Sequence, residues 1–491
     1  MFRTRMNSSW LRWVVAAISV VLSASAEDDL HKLIESAMAV YPDLSAARER
    51  VLQAEAEHEG LSGFFDPRAV AGVGYTDRAR DLFGLTWRAG GTALDGSSLQ
   101  AGVETAFLPG FYAGIGAAQH QGIHGETDDN EASLVGARIR IPLLQNRGFG
   151  PWRLQHSRTE AGWESTRAHL LAVAQKLESE VETRYIDLQL AFAQTKVAHA
   201  ATARAEQLVQ ESEDLVRLQA VASYQTHQAR LEVARRREEE ESEVRSVDTA
   251  WLKLEELSGI GPQSEIHLKE LDLSDWAGTM TLPEIEPPGH ALSRRGDVLE
   301  RLWDCIAQKT RLEEALEGLR HDLSLEGGGV WEEGAQADRE SHPSSSSDAP
   351  FGGDVALIWR HPLGDRTAKA SVKVQKARLQ ELLDLTRSLE QTVSIDLNIA
   401  RKEYDSAAQR MIWIAKAAQS ARAALAAEED RFRLGDGTSR QVLDAQKDLT
   451  DVLKRQNTII TEALHARARY RYAAGLLGEP FKKEAKERHE N

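Results

Sequence analysis

Two histidines four residues apart, His120 and His124, are the most obvious candidates for metal chemistry in this sequence. They lie in a glycine-containing segment, where no established helix would place both imidazoles on one face. A zinc site also needs more ligands in a defined geometry than this pair supplies. We therefore predict no metal site here.

Other patterns that carry catalytic chemistry do not occur in the sequence. It contains no phosphate-binding glycine loop, nucleophile elbow or zinc-protease motif. A basic cluster at 235–237 is followed by an acidic run at 238–243, a pattern that favours a solvated helix face with local ion pairs. The sequence thus predicts a protein that is not an enzyme, with no catalytic residue, metal or cofactor.

The first 26 residues have the pattern of a cleavable secretory signal. Three arginines precede an apolar run from Trp13 to Leu22, and Ala24-Ser25-Ala26 matches a small-x-small cleavage site. The apolar run is too short to span a bilayer as a stable helix, although an uncleaved anchor is the alternative. We therefore expect an exported protein.

Charge and cysteine content narrow the function further. The net charge is -16, and loss of the three arginines in the leader lowers it to -19. This balance argues against nucleic acid as a partner. Cys305 is the single cysteine, so an internal disulfide is impossible and a disulfide-framed secreted module is excluded.

A duplication dominates the rest of the chain. Pro142 and Pro362 are 220 residues apart, Tyr185 and Tyr404 are 219 apart, and Leu218 and Leu434 are 216 apart. Each copy has an extended segment with Pro-Leu, a long helical run, a short break and a returning helix. Such a repeat predicts two copies of one structural unit.

Apolar residues at spacings of three and four predict two long amphipathic helices, at about Pro151–Leu218 and Arg366–Leu434. At 1.5 Å per residue, each would be roughly 100 Å long. Four helices of about half that length are predicted at Asp29–Leu61, Ser223–Leu257, Gly289–Arg320 and Ser439–Leu477. Placed end to end, two of the shorter helices have about the same length as one long helix.

The breaks between long and returning helices differ in chemistry. The second, Arg433 to Ser439, has two glycines for turn geometry and then Thr or Ser to cap the next helix. The first, Arg217 to Ser223, has neither glycine and keeps only the serine. Copy two therefore predicts a helix-turn-helix more strongly than copy one.

Alternating apolar and polar residues predict strands between the helices. In the first copy they lie at 69–75 and 135–141, and in the second at 323–331 and 355–359. A further hairpin is predicted at 99–118 around Pro109-Gly110, without an assigned place. Alternation of this kind is typical of barrel strands that face lipid on one side; a small soluble β-domain is the alternative.

Three passages of the chain are especially specific: Tyr41 to Ala47, Ile141-Pro142-Leu143-Leu144 and Arg431 to Gln446. Together with the duplication, they make the chain resemble the TolC-like outer membrane efflux protein family. The resemblance implies an α+β fold: a long antiparallel coiled-coil barrel plus a transmembrane β-barrel completed by trimerisation, with four strands per protomer and twelve in all. The implied location is the outer membrane, with the helical tunnel in the periplasm.

The resulting division of the chain has five segments. They are a signal peptide at 1–26, a first repeat at 27–262, a linker at 263–288, a second repeat at 289–478 and a flexible basic tail at 479–491.

The resemblance also implies partners and site residues. In such proteins the helix-turn-helix tips bind a periplasmic adaptor, which joins the tunnel to an inner-membrane transporter. The matching tip positions are Leu434, Gly435, Asp436, Gly437, Thr438 and, in the first copy, Leu218.

Gln441 and Asp444 stand where family members commonly carry two acidic residues that narrow the tunnel mouth. Three residues apart, they share a helix face, so three Asp444 carboxylates would form a ring that attracts cations.

The predicted function is therefore a passive outer-membrane channel of a tripartite efflux or type I secretion system. It would be a homotrimer in outer-membrane lipid that exports cargo delivered by its partners. The alternative is a periplasmic coiled-coil structural or adaptor protein without a transmembrane barrel. For the tip glycines, the alternative is that they serve only to form the turn.

Overall fold

The computed structural model describes residues 28–76, 80–82, 85–87, 96–107, 110–122, 131–148, 150–218, 222–261, 273, 287–333, 351–434 and 436–478. The predicted signal peptide, nearly all of the linker and the basic tail lie outside these residues. Among the described helices, none is long and apolar enough to cross a membrane.

The first repeat begins with helices α1 (28–40) and α2 (Pro42–Glu59). A single helix was expected over this region. Tyr41 separates the two, because Pro42 has no backbone N–H and favours the first position of a new helix. The long helix α3 (Gly150–Arg217) and the returning helix α4 (Tyr224–Ser258) follow the predicted bounds within one residue.

The second repeat contains α5 (Pro288–Arg294), α6 (Gly296–Glu317), α7 (Arg366–Arg433) and α8 (Ser439–Ala473). The long helices α3 and α7 each have 68 residues, and the returning helices α4 and α8 each have 35. The long and returning helices of the two repeats therefore have identical lengths.

The leading helix of the second repeat is divided at Arg295, between α5 and α6, because its backbone approaches α3 closely there. A Cβ on Gly296 would lie 2.3 Å from the Ala172 nitrogen, so only glycine fits. The buried side chain of Gln175 on α3 accepts a bond from the Gly296 N–H at 3.0 Å. Its Nε2 donates to the carbonyl oxygens of Arg294 at 2.9 Å and Leu477 at 3.2 Å.

The chain divides into two compact units. The first comprises Met1–Arg50, Thr166–Glu300 and Thr386–Asn491, and the second comprises Val51–Ser165 and Arg301–Leu385. In the first unit both repeats supply one hydrophobic core, in which Leu177, Tyr185 and Leu464 are almost fully buried. A separate core cluster, around Val298, Val393 and Tyr470, is supplied by the second repeat alone.

The second unit contains the main β-sheet. Its strands are β1 (Arg68–Thr76), β4 (Gly96–Phe107), β5 (Phe111–Gly122), β6 (Glu131–Pro142), β7 (Asp322–Glu333) and β8 (Phe351–Arg360). A 3-10 turn, Gly60–Phe65, precedes β1, and β2 (Arg80–Leu82) pairs with β3 (Leu85–Trp87) in a separate ribbon. All pairs are antiparallel.

The order of the main sheet is β1-β4-β5-β6-β7-β8, so it has six strands among the described residues. The expected contribution of four strands is therefore wrong for this sheet. The hairpin predicted at 99–118 forms β4 and β5 and lies between β1 and β6, the two strands that sequence alone would have paired. Alternation predicts a strand but says nothing about its neighbours.

The predicted alternation places large apolar side chains on one face of the sheet. The exposed ones on this face are Val73, Leu99, Val103, Phe107, Ile115, Val135, Ile139, Trp331, Phe351, Val355, Leu357 and Trp359. They extend across all six strands, so the apolar band is continuous.

The opposite face is polar where β6, β7 and β8 adjoin. Arg138 and Arg140 of β6 both pair with Glu326 of β7, whose side chain is nearly buried. Arg360 of β8 donates to Asp322 of β7 at 3.2 Å. Opposite charges on neighbouring strands stabilise the pairing, and they keep the buried carboxylate of Glu326 compensated.

Candidate functional site

The candidate site is formed by the two helix-turn-helix tips of the first unit. In the second tip, α7 ends at Arg433 and α8 begins at Ser439. Thr438 caps α8: its side chain accepts from the Gln441 N–H, and the Gln441 side chain accepts from the Thr438 N–H at 2.9 Å. This reciprocal capping box satisfies two backbone donors at the start of the helix.

A close approach of the backbone shapes the second turn. The Asp436 N–H donates to the Arg431 carbonyl at 3.0 Å, and a Cβ on Gly437 would lie 3.1 Å from the Phe432 nitrogen. Phe432 itself is fully buried beneath the turn. A side chain at Gly437 would therefore crowd the backbone of the turn, while Gly435 lies outside the described residues.

The first tip is built differently. Ser223 has helical dihedral angles and makes no side-chain capping bond, so the serine that the first copy keeps does not cap α4. What the two tips share is an exposed leucine just after the long helix: Leu218 is 74% exposed and Leu434 is 78% exposed. Exposed leucines at both turns are available to a partner protein.

Polar contacts join the two tips to each other. The Ser439 N–H donates to Gln225 Oε1 at 3.2 Å, in a buried position. Arg433 donates to Glu211 at 3.2 Å, and this hydrogen bond raises the pKa of the arginine. Beneath them Leu208, Phe432 and Val442 belong to a core supplied by both repeats. The tips are therefore one packed structure.

A half-buried charge network lies further along the returning helices. Lys454 Nζ of α8 is 2.5 Å from Glu239 and 2.8 Å from Glu243, both of α4. Arg236 also pairs with Glu239, at 2.9 Å. Burial opposes ionisation of Glu239, but the hydrogen bonds and charges of Lys454 and Arg236 outweigh it and lower the pKa of this carboxyl.

The two gate candidates differ in what they can do. The Gln441 side chain is occupied by the capping box, so it holds the helix start. Asp444, one turn further along α8, has an exposed side chain. Only Asp444 of the pair therefore presents an ionisable group outward, and its role as a gate is a prediction.

The histidine pair lies only partly within the described residues. His120 lies in strand β5, and His124 is outside the described residues. In the described part of the chain, no group of three or more His, Cys, Asp or Glu residues could hold a metal ion.

The contacts between the tips were missed at the sequence level, yet a signal for them existed. Glu211 with Arg433, Gln225 with Ser439, and Glu239 with Lys454 are separated by 222, 214 and 215 residues. These separations are close to the shift of 216 that relates the copies at their tips. The paired residues thus occupy nearly equivalent positions in the two repeats.

The difference between the caps predicts unequal effects of removing them. Thr438→Ala should destabilise the start of α8 by about 1 kcal/mol, which corresponds to about five-fold faster amide exchange there. Ser223→Ala is the matched control and should leave exchange at the start of α4 unchanged, because Ser223 makes no capping bond. Hydrogen-exchange mass spectrometry on both turns tests this; equal effects would contradict it.

The charge network predicts a pH dependence. Because the folded pKa of Glu239 is depressed, its contribution to stability is present above the ordinary value of 4.5 and is lost as pH falls through the folded pKa. Lys454→Met should therefore lower the melting temperature at neutral pH, and the difference from the parent should shrink in acid.

The control for this experiment is Lys447→Met, which removes an exposed lysine from the same helix. It should cause little change at either pH, since exposed charges contribute little. A Lys454→Met effect that is equally large in acid would show that packing, and not the ion pair, is responsible.

Solved structures of outer-membrane proteins share this fold. The outer-membrane channel OprN is 18% identical, with a TM-score of 0.65 over 92% of each chain. The outer membrane protein VceC of Vibrio cholerae is 16% identical, with a TM-score of 0.64 over 91% of this chain and 96% of that one. The open-state MtrE channel of Neisseria gonorrhoeae is 16% identical, with a TM-score of 0.66 over 91% and 88%.

No protein-family model matches the sequence, and no curated protein matches it. At such low identities the likeness to solved structures concerns the fold. The chain has the fold of the TolC-like outer-membrane channels, as the resemblance of its sequence predicted.

Proposed function

We propose that this protein is a homotrimeric outer-membrane channel that passively exports cargo delivered by an inner-membrane transporter and a periplasmic adaptor. The observation that carries the proposal is the exposed apolar face of the six-stranded sheet, on a chain with the fold of outer-membrane channels. A continuous apolar band on a soluble protein would promote aggregation.

The dimensions of the band suit a bilayer. The six strands have 9 to 12 residues, close to the roughly 9–11 residues of a transmembrane strand. On β8, exposed Phe351 and Trp359 lie near opposite ends with Val355 between them. Aromatic residues at both ends of an apolar strand are typical of the two membrane interfaces.

The sheet is incomplete as a membrane structure. Within one described chain, β1 pairs only with β4 and β8 only with β7. In lipid, unpaired N–H and C=O groups at these two edges would each cost several kcal/mol. Further copies of the chain can pair the edges and close the barrel, and the resemblance implies that three copies do so.

The tips supply the proposed adaptor site. Leu218 and Leu434 are exposed at the ends of the two long helices, and a core supplied by both repeats packs those helix ends together. A preorganised apolar contact of this kind loses little entropy on binding. The partners then set the direction of export and select the cargo, because no catalytic group is proposed in this chain.

The competing function is a periplasmic coiled-coil protein without a membrane barrel. It would need no exposed apolar band, whereas twelve large side chains of the band are exposed here. The observed face therefore favours the channel.

Substitutions on adjacent residues of β8 test membrane insertion. Val355→Arg puts a charge in the middle of the apolar band and should reduce the membrane-bound protein, because arginine on a lipid face costs about 2–4 kcal/mol at the midplane. Ala356→Arg, on the opposite face, is the matched control and should be tolerated. Fractionation with detergent extraction measures both; recovery of the parent protein in the soluble periplasm would refute the channel.

The proposed gate predicts a change in conductance. Asp444→Ala should raise single-channel conductance in planar bilayers and weaken block by divalent cations, because a ring of carboxylates attracts cations. Asp248→Ala removes an exposed carboxylate from α4 and serves as the control for net charge. Unchanged conductance and block in Asp444→Ala would rule out the gate.

A further inference from the structure

The hairpin β4–β5 is the part of the sheet that the resemblance does not account for. We propose that β4 and β5 are strands of the barrel wall, so that three copies close an eighteen-stranded barrel wider than the twelve-stranded one that the resemblance implies. The inference rests on the proposed channel function and specifies the width of its membrane segment.

The hydrogen-bond register places the hairpin inside the wall. Residues Gly96–Phe107 of β4 pair along their whole length with Gly122–Phe111 of β5. The other edge of β4 pairs with β1, where Ala71 is opposite Ala101, and the other edge of β5 pairs with β6, where Ala117 is opposite Val135. The hairpin thus separates β1 from β6 by two strands.

The side chains of the hairpin alternate in phase with their neighbours. Val103 of β4 is directly opposite Ile115 of β5, and Ile115 is opposite Ala137 of β6. Ile115 is 65% exposed on the same face as Val135. A hairpin folded into the lumen as a plug would gain nothing from this alternation, because both of its faces would meet water. Strands in a membrane wall require it.

The opposite face of the hairpin has a level at which only glycines are present. Gly102 of β4 is opposite Gly116 of β5, which is opposite Gly136 of β6. At this level the three strands place no side chains on the inner face. At this level the added strands widen the proposed lumen without filling it.

Strand direction allows closure. The six strands alternate in direction, so β1 and β8 run oppositely, and β8 of one copy meets β1 of the next copy in antiparallel orientation. With strands about 4.8 Å apart and tilted about 40°, eighteen strands give a backbone diameter of about 36 Å, against about 24 Å for twelve. The cross-section of the membrane segment is then roughly doubled.

Paired cysteines in the full chain test the position of the hairpin, in a background where Cys305 is replaced by serine. Ala71→Cys with Ala101→Cys should crosslink through a short thiol-reactive linker, because directly opposite Cβ atoms are about 5 Å apart. Ala71→Cys with Val135→Cys should not, because three strand spacings, about 14 Å, separate those residues. Crosslinking of the second pair instead of the first would overturn the inference.

Single cysteines test which face meets lipid. A fluorophore on Ile115→Cys should be quenched by brominated lipids as strongly as one on Val135→Cys, a wall position whether or not the hairpin is included. A fluorophore on Gly114→Cys should be quenched by aqueous iodide, and its added Cβ fits, being 3.5 Å from the nearest atoms. Iodide quenching at Ile115 without lipid quenching would identify a plug and refute the wall assignment.

Native mass spectrometry of the detergent-solubilised protein supplies the number of copies. Three copies give eighteen strands, whereas two copies would give twelve and overturn the inference. Failure of the proposed function is separately recognisable, because the protein would then be absent from the membrane fraction and would show no lipid quenching at Val135.

Discussion

The hydrogen bonds of the Gln175 side chain are the interaction on which the arrangement of helices most depends. This buried amide on α3 binds the junction of α5 and α6 and the chain just beyond α8. An unpaired amide at such a site would cost the full desolvation of its polar groups. The bonds therefore fix where the shorter helices meet beside the long one, and Gly296 permits the contact by having no side chain.

The ends of the helices could be predicted from sequence within a few residues because their signals are local. The two copies support each other's bounds, whereas the breaks before Pro42 and Gly296 were not predicted although Pro and Gly are local signals for them. The capping box of Thr438 and Gln441 also has a local signature, and it gives the Gln441 side chain a structural role at the start of the helix. The failure of Ser223 as a cap reflects its helical backbone, which its residue type does not specify.

The sheet and the contacts between tips could not be predicted in the same way, because both depend on residues distant in sequence. Alternation identified β4 and β5 but not that they separate β1 from β6. Contacts such as that between Glu239 and Lys454 join the two repeats across 215 residues. The separation between equivalent positions of the two copies indicates which positions lie side by side. It does not indicate which residue type, or which charge, stands at each of them. The exposure of Asp444 can be seen in one chain. The gate proposed for it needs several copies of the chain, so it cannot be derived from one sequence.

The hairpin arrangement of β4 and β5 has an evolutionary consequence. An inserted single strand would reverse the direction of every element after it and would destroy the match between the two repeats. An inserted pair of strands leaves the direction of every later element unchanged. Strand β6 therefore still leads into α3, and the two 68-residue helices still match each other. For the proposed channel, the number of hairpins can therefore set the width of the barrel without reversing the direction of the helices.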